Sequence, residues 1–177
     1  MKGFEVVLAA DEEGGIGRAG GLPWHLPGEL ARFKRLTTEA PPGRHNAVLM
    51  GRRTWESLPE RFRPLPGRLN LVLSRSSGLR LPEGVLRASN LDEALERAAA
   101  APLVHRIFVI GGARLYREAL DHPACSVLHW TAVEGRHGCD VFVPAPGPAF
   151  RLVEEGERQE ESGLAYRFRR YERRPAV

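Results

Sequence analysis

Five apolar, β-prone runs recur along the chain: FEVVLAA (4–10), NAVLMG (46–51), LNLVLS (69–74), RIFVIG (106–111) and SVLHWTAV (126–133). Strands that alternate apolar and polar residues can leave one face in water, but runs this continuously apolar need cover on both faces, as in an α/β protein. The cover has to come from helices between the runs, and helical patterns lie there. NLDEALERAAAA opens with Asn90 as N-cap and Glu93 three residues on, and Pro102 stops it. A second helix is predicted to start at Gly112 and run through ARLYREAL, and a third to begin near Pro27, since proline is well tolerated in a first helical turn. The end of the chain differs in kind. FRLVEEGERQEESGLAYRFRRYERR reads as two alternating strands with a polar connection, an antiparallel hairpin with Leu164, Tyr166 and Phe168 on one face. No internal repeat is present, and EAPPGRH, ERFRPLPGR and FVPAPGP are Pro/Gly punctuation rather than linkers. A chain of 177 residues fits one domain with a sizeable core.

Charge narrows the partners. A net charge of +4 and a pI near 9.6 favour anionic ones. A nucleic-acid-binding domain would interleave aromatics with a basic face, yet aromatics make up only 7% and the arginines gather at strand ends. Cys125 and Cys139 do not make a disulfide framework, which favours a reducing cytosol. The N-terminus shows no signal-peptide pattern and no apolar stretch is long enough to span a membrane. Cys125, His129, His137 and Cys139 fall at C-x3-H-x7-H-x-C, which fits no common zinc pattern, and neither G-x-S-x-G nor H-E-x-x-H occurs.

The segment LPWHLPGELARFKRLT (22–37) puts a lone carboxylate among apolar residues. At about 100° per residue, Glu29 shares an arc with Leu30, Phe33, Leu36 and Thr37, while Arg32 and Arg35 point elsewhere. An unpaired carboxylate on a buried arc needs a partner; the alternative is a helix-dipole carboxylate with its head in water. Gly15-Ile16-Gly17-Arg18-Ala19-Gly20 matches G-x-G-x-x-G but runs into Gly21-Leu22-Pro23-Trp24, which cannot open the helix that fingerprint requires. A flexible glycine-rich loop with a rigid apolar tip has the composition of a lid. Val109-Ile110-Gly111-Gly112-Ala113-Arg114-Leu115-Tyr116 reads as strand, glycine pair and helix start, a place where backbone can approach a phosphate. Gly51-Arg52-Arg53-Thr54 and Ser74-Arg75 follow two other strands, so the strand ends near Ala9, Arg52, Ser74 and Gly111 all carry glycine, hydroxyl or arginine. Ligands of open α/β sheets bind at such ends. Arg63-Pro64-Leu65-Pro66-Gly67-Arg68 presents arginines on a proline-fixed loop, suited to bidentate carboxylate recognition.

Together VVLAADEEGGIG, LPWHLPGELARFKRLT, VLMGRRTWESLPERFRPLPGRLNLVLSR, LDEAL, FVIGGARLYREAL and the strand of Thr131 resemble the dihydrofolate reductase family, in order and spacing, over essentially the whole chain. The resemblance implies one domain (1–177) with an adenosine-binding subdomain over roughly 40–105, and a central eight-stranded mixed sheet flanked by helices, mostly parallel with the antiparallel C-terminal hairpin. It implies reduction of 7,8-dihydrofolate by NADPH, no metal, antifolate binding, and a cytoplasmic monomer. Glu29 becomes the active-site carboxylate facing the pterin, with its remaining hydrogen bond to Thr131, and Trp24 and Leu22 organise water and close the lid. Val7, Leu30 and Phe33 would line the pterin, Phe33, Leu58 and Leu65 the aminobenzoyl ring, and Arg68 would take the glutamate-tail carboxylate. The cofactor would lie against Ala9, Ile16, Gly17, Arg52, Arg53, Thr54, Ser74, Arg75 and 110–116 (Ile110, Gly111, Gly112, Ala113, Arg114, Leu115, Tyr116). Gly111-Gly112 would carry the family's cis peptide. Ser89 stands where a third basic residue often sits, leaving Arg52 and Arg75 to flank the 2′-phosphate. His25, Gly21 and Ala113 depart from the commoner family residues, whereas Glu29 and the 59–63 insertion look animal-like. A pyrimidine reductase of riboflavin synthesis would share the sheet but would not need the LPWHLPGEL carboxylate or Arg68.

Overall fold

The computed structural model describes residues 2–177. In chain order the elements are β1 (Phe4–Ala10), β2 (Gly15–Gly17), α1 (Pro27–Thr38), β3 (His45–Gly51), α2 (Arg52–Ser57), β4 (Arg68–Leu73), β5 (Leu86–Ala88), α3 (Leu91–Ala100), β6 (Val104–Val109), α4 (Ala113–Asp121), β7 (Cys125–Val133), β8 (Val141–Phe142), β9 (Phe150–Glu155), β10 (Gln159–Glu161) and β11 (Leu164–Arg173). The five apolar runs are β1, β3, β4, β6 and β7, each within two residues of its predicted bounds.

Eight strands lie in the order β10-β11-β7-β1-β6-β3-β4-β5, and a ninth, β9, also pairs with β11. The pairings from β7 to β5 are parallel, and β11 is antiparallel to β7, β9 and β10. The expected mixed sheet is thus present. The expected two-stranded hairpin is instead three-stranded, because part of its polar connection folds back as β10 to pair Gln159 with Tyr166 and Glu161 with Leu164.

Both faces of the parallel strands are buried. Val6, Leu8, Leu49 and Leu71 pack with Leu95 of α3 and Leu115 of α4. On the other face Val7, Val48, Met50, Val72 and Phe108 pack with Trp55 of α2 and Phe33 and Leu36 of α1. Glu5 is a charged exception inside this sheet. Its carboxylate accepts two bonds from the Arg106 guanidinium at 2.6 Å and lies 2.9 Å from His129 Nε2, so β1, β6 and β7 are tied by one ionic row. At the predicted N-cap, Asn90 Oδ1 accepts the Glu93 N–H at 2.9 Å, and the Glu93 carboxylate accepts the Ser89 N–H at 2.7 Å.

Candidate active site

Glu29 lies in the first turn of α1 and is buried, the residue 8% exposed. Its one hydrogen bond among the described residues comes from the buried Thr131 hydroxyl, at 3.4 Å to Oε1. The sheet register explains the meeting, since Thr131 pairs with Ala9 on one side and Phe168 on the other, at the end of β1 where α1 begins. Burial pushes the Glu29 carboxyl above its ordinary range; the Thr131 bond and the Arg32 charge pull the other way, and the nearby Glu161 carboxylate adds to the rise. The helix-dipole alternative, with the head in water, does not hold.

The residues predicted to form the apolar wall come together. Val7 lies in one cluster with Phe33, Leu58 and Leu65. Leu30 sits beside Glu29 but is 45% exposed. Arg68 starts β4, where Nη1 donates to Thr37 Oγ1 at 2.9 Å and Nε to the Pro66 carbonyl at 3.0 Å. Thr37 in turn donates to the Phe33 carbonyl at 2.8 Å, so the guanidinium is anchored to the far turns of α1. Burial lowers the Arg68 pKa.

The glycine-rich loop is more ordered than its composition predicts. Ile16 and Gly17 belong to β2, which pairs with β8, and Arg18 and Gly21 close a tight turn through reciprocal backbone bonds of 2.8 and 3.0 Å. Asp11 holds the base of this ribbon. One carboxylate oxygen accepts the Gly15 and Glu13 amides and the other the His137 amide. Burial would raise the Asp11 carboxyl, but these backbone donors outweigh it and hold it low. At the tip Leu22 is 53% exposed, whereas Trp24 is buried with its edge against the His137 ring, centroids 5.5 Å apart. Trp24 Nε1 is a buried donor with no partner among the described residues.

At the strand ends, Ile110 lies against the Val7–Phe108 cluster, and Gly111 and Gly112 join through a cis peptide and lead into α4. Gly111 has φ +133°, outside the reach of most side chains, and a Cβ there would sit 3.3 Å from the Thr54 hydroxyl. Ala113 and Arg114 open α4, while Leu115 and Tyr116 turn into the core, Tyr116 donating to the Val7 carbonyl at 2.8 Å. Arg53 is exposed at the head of α2, and Arg52 beside it pairs with Glu56 at 2.7 Å. Ser74 and Arg75 follow β4, with Arg75 exposed. Sequence reasoning missed Arg87 of β5, whose guanidinium donates to the Ser74 carbonyl at 2.8 Å and lies 3.5 Å from Ser89 Oγ. The available signal was strand alternation, which puts residues 87 and 89 on one face.

A cavity of about 550 Å³ opens on the opposite face of β7 and β11, against Trp130, Arg167, Arg169, Tyr171 and the Asp11–Gly14 turn; Glu29, Thr131 and the apolar wall do not line it.

The family model described as dihydrofolate reductase matches residues 3–173. The chain is similar to the dihydrofolate reductase of Aedes albopictus, 38% identical over 185 residues that cover 99% of this chain and 100% of that protein. It is similar to the dihydrofolate reductase of Heliothis virescens, 38% identical over 96% of this chain and 97% of that protein. It is also 48% identical to bifunctional dihydrofolate reductase-thymidylate synthase 2 of Arabidopsis thaliana, over 80% of this chain and 26% of that protein. The chain spans between 26% and 33% of the length of the bifunctional plant relatives it matches.

Proposed function

The chain belongs to the dihydrofolate reductase family, and from that premise we propose that it reduces 7,8-dihydrofolate to 5,6,7,8-tetrahydrofolate with NADPH, supplying one-carbon metabolism and thymidylate synthesis. The observation that carries this reading is the buried Glu29 carboxylate, bonded to Thr131, on the same helix as Phe33, which joins the apolar cluster of Val7, Leu58 and Leu65. Such a carboxylate makes no ion pair among the described residues and suits the two-point donor edge of a pterin.

Bound NADPH supplies the hydride that reduces pterin C6. The chain's own residues bind and orient. Ionised Glu29 accepts from the 2-amino group and N3, one at each oxygen, and Thr131 donates to a remaining lone pair of Oε1. Trp24 Nε1, a buried donor without an acceptor among the described residues, fits a water beside the pterin, and Leu22 closes over it, so solvent delivers the N5 proton in a site that Glu29 orders. Arg68 forks onto the α-carboxylate of the glutamate tail. For the cofactor, Gly111 and Gly112 with the open head of α4 suit the pyrophosphate, with Arg53 and Thr54 beside them. Arg52, Arg75 and Arg87 suit the 2′-phosphate, within an adenosine-binding portion over roughly 40–105. Ala9, Ile16, Gly17 and Ile110 face the nicotinamide end.

We propose a monomer in the cytoplasm, open to antifolates in the pterin pocket; the two cysteines are free, and no helix among the described residues is long and apolar enough to cross a membrane. The test is NADPH oxidation with and without dihydrofolate. Dihydrofolate-dependent loss of NADPH absorbance is expected, and none at any pH would overturn the reading.

A further inference from the structure

Helix α1 starts without a cap of its own. Leu26 stands at the N-cap position with no polar side chain, and Pro27 has no N–H. The first free amide is that of Gly28, and it donates to both oxygens of Glu161, at 3.0 and 3.1 Å. Glu161 reaches it from β10, across the chain. The Tyr166 hydroxyl donates to Glu161 Oε1 at 2.7 Å, and Tyr166 itself is buried at 1% exposure, edge-on to Phe168. Gly28 makes room for this arrangement. A Cβ there would lie 2.9 Å from Glu161 Oε1 and 2.9 Å from the Tyr166 oxygen.

The residue after Gly28 is Glu29. We propose that Glu161 is a positioning residue for Glu29: it caps the head of α1 in trans, fixes where the Glu29 side chain starts, and places a second negative charge beside it. The proposal rests on the reading of Glu29 as the pterin-binding carboxylate.

The groups around Glu29 decide how much that charge matters. Thr131 faces it from β7, Tyr116 from α4 and Tyr166 from β11, all neutral at physiological pH. Among the described residues, Arg32 on α1, stacked 4.3 Å over the Phe168 ring, is the cation acting on Glu29, and Glu161 the other anion. A neighbouring like charge disfavours ionisation. Removing the Glu161 charge therefore leaves Arg32 unopposed and eases Glu29 ionisation.

The experiment compares wild type with E161Q, whose amide oxygen keeps an acceptor for the Gly28 amide and the Tyr166 hydroxyl. Two readouts are taken: the pH profile of dihydrofolate reduction and the titration of the Glu29 carboxyl by carbon NMR of glutamate-labelled protein. Both midpoints are expected to move to lower pH by about half a unit or more, with the melting temperature held. G28A, which drives the Glu161 carboxylate off its seat, is expected to move the NMR midpoint the same way. Coincident Glu29 titrations in E161Q and wild type, or a loss of turnover equal at every pH, overturn the proposal and leave Glu161 a helix cap. A wild-type enzyme inactive toward dihydrofolate overturns the functional reading instead, and the Glu29 titration then tests the Glu161 effect without it.

Discussion

Glu29 in the first turn of α1 and Arg68 at the start of β4 carry opposite charges, and each makes a prediction that separates binding from chemistry. Glu29→Gln keeps the shape but turns an amide NH2 toward pterin donors. Turnover at neutral pH is expected to fall by about 10²–10⁴, the scale of lost acid–base assistance. The loss should shrink in acid, where solvent protonates the substrate directly. Steady-state rates across pH check this, and near-native turnover at neutral pH would remove Glu29 from the mechanism. Arg68 is already committed to Thr37 and the Pro66 carbonyl through Nη1 and Nε, so its remaining edge is aimed rather than free to wander. Arg68→Lys loses the fork as well as the anchor. Charge-assisted bonds are worth about 1.5–3 kcal/mol, so KM for dihydrofolate should rise by about 10–100-fold while KM for NADPH stays. A pterin without the glutamate tail should be almost indifferent, and equal losses with both substrates would make Arg68 structural.

At the scale of elements, the strand ends and the caps are the testable units. Arg52 pairs with Glu56 on an exposed helix surface, where such a pair is worth about 0.3–0.5 kcal/mol, so a phosphate can recruit it cheaply. Arg52→Gln should weaken NADPH binding in a fluorescence titration and leave NADH unchanged, and salt should shrink the difference. Equal weakening would move the 2′-phosphate to other residues. Asn90→Ala removes the side-chain cap of α3 at a cost of about 1 kcal/mol, read as a fall in melting temperature of about 2–4 °C; an unchanged temperature would mean that packing of Leu91 and Leu95 holds the helix end. The long elements were legible in the sequence because their apolar runs and caps are local signals. Gly15–Gly17, Leu86–Ala88, Val141–Phe142 and Gln159–Glu161 were not, since two or three residues carry no period and their pairing partners decide them. The same reason hid Glu161 and Arg87. Glu29, Thr131 and the wall residues were readable through the family resemblance, but nothing in the run QEES says that its second glutamate reaches back to the head of α1.

For the whole molecule, the ionic row across β1, β6 and β7 sets the acid limit of stability. Burial alone would raise the Glu5 carboxyl, but the bonds from His129 and Arg106 outweigh it and hold it at about 2, against an ordinary 4.5. Its contribution, on the order of 3 kcal/mol, is complete above pH 4.5 and lost as pH falls toward 2. Burial lowers the His129 pKa below 6.5 in spite of Glu5. Below that pH the unfolded chain takes a proton the native one refuses, so stability falls here too. The urea midpoint should decline as pH drops below 6.5 and more steeply below 4.5, and His129→Phe should flatten the first part of the decline. A midpoint constant down to pH 4.5 would show His129 to be thermodynamically silent, and one constant on toward pH 2 would show the same of Glu5. The strand order has a consequence in time as well. β1 lies between β6 and β7, so this strand, made before every other strand of the sheet, finds its neighbours only after residues 104–133 have been made. Pairings so distant along the chain are slow to close. Until then FEVVLAA is an apolar ribbon with two bare edges, the segment of a nascent chain that a chaperone would grip first.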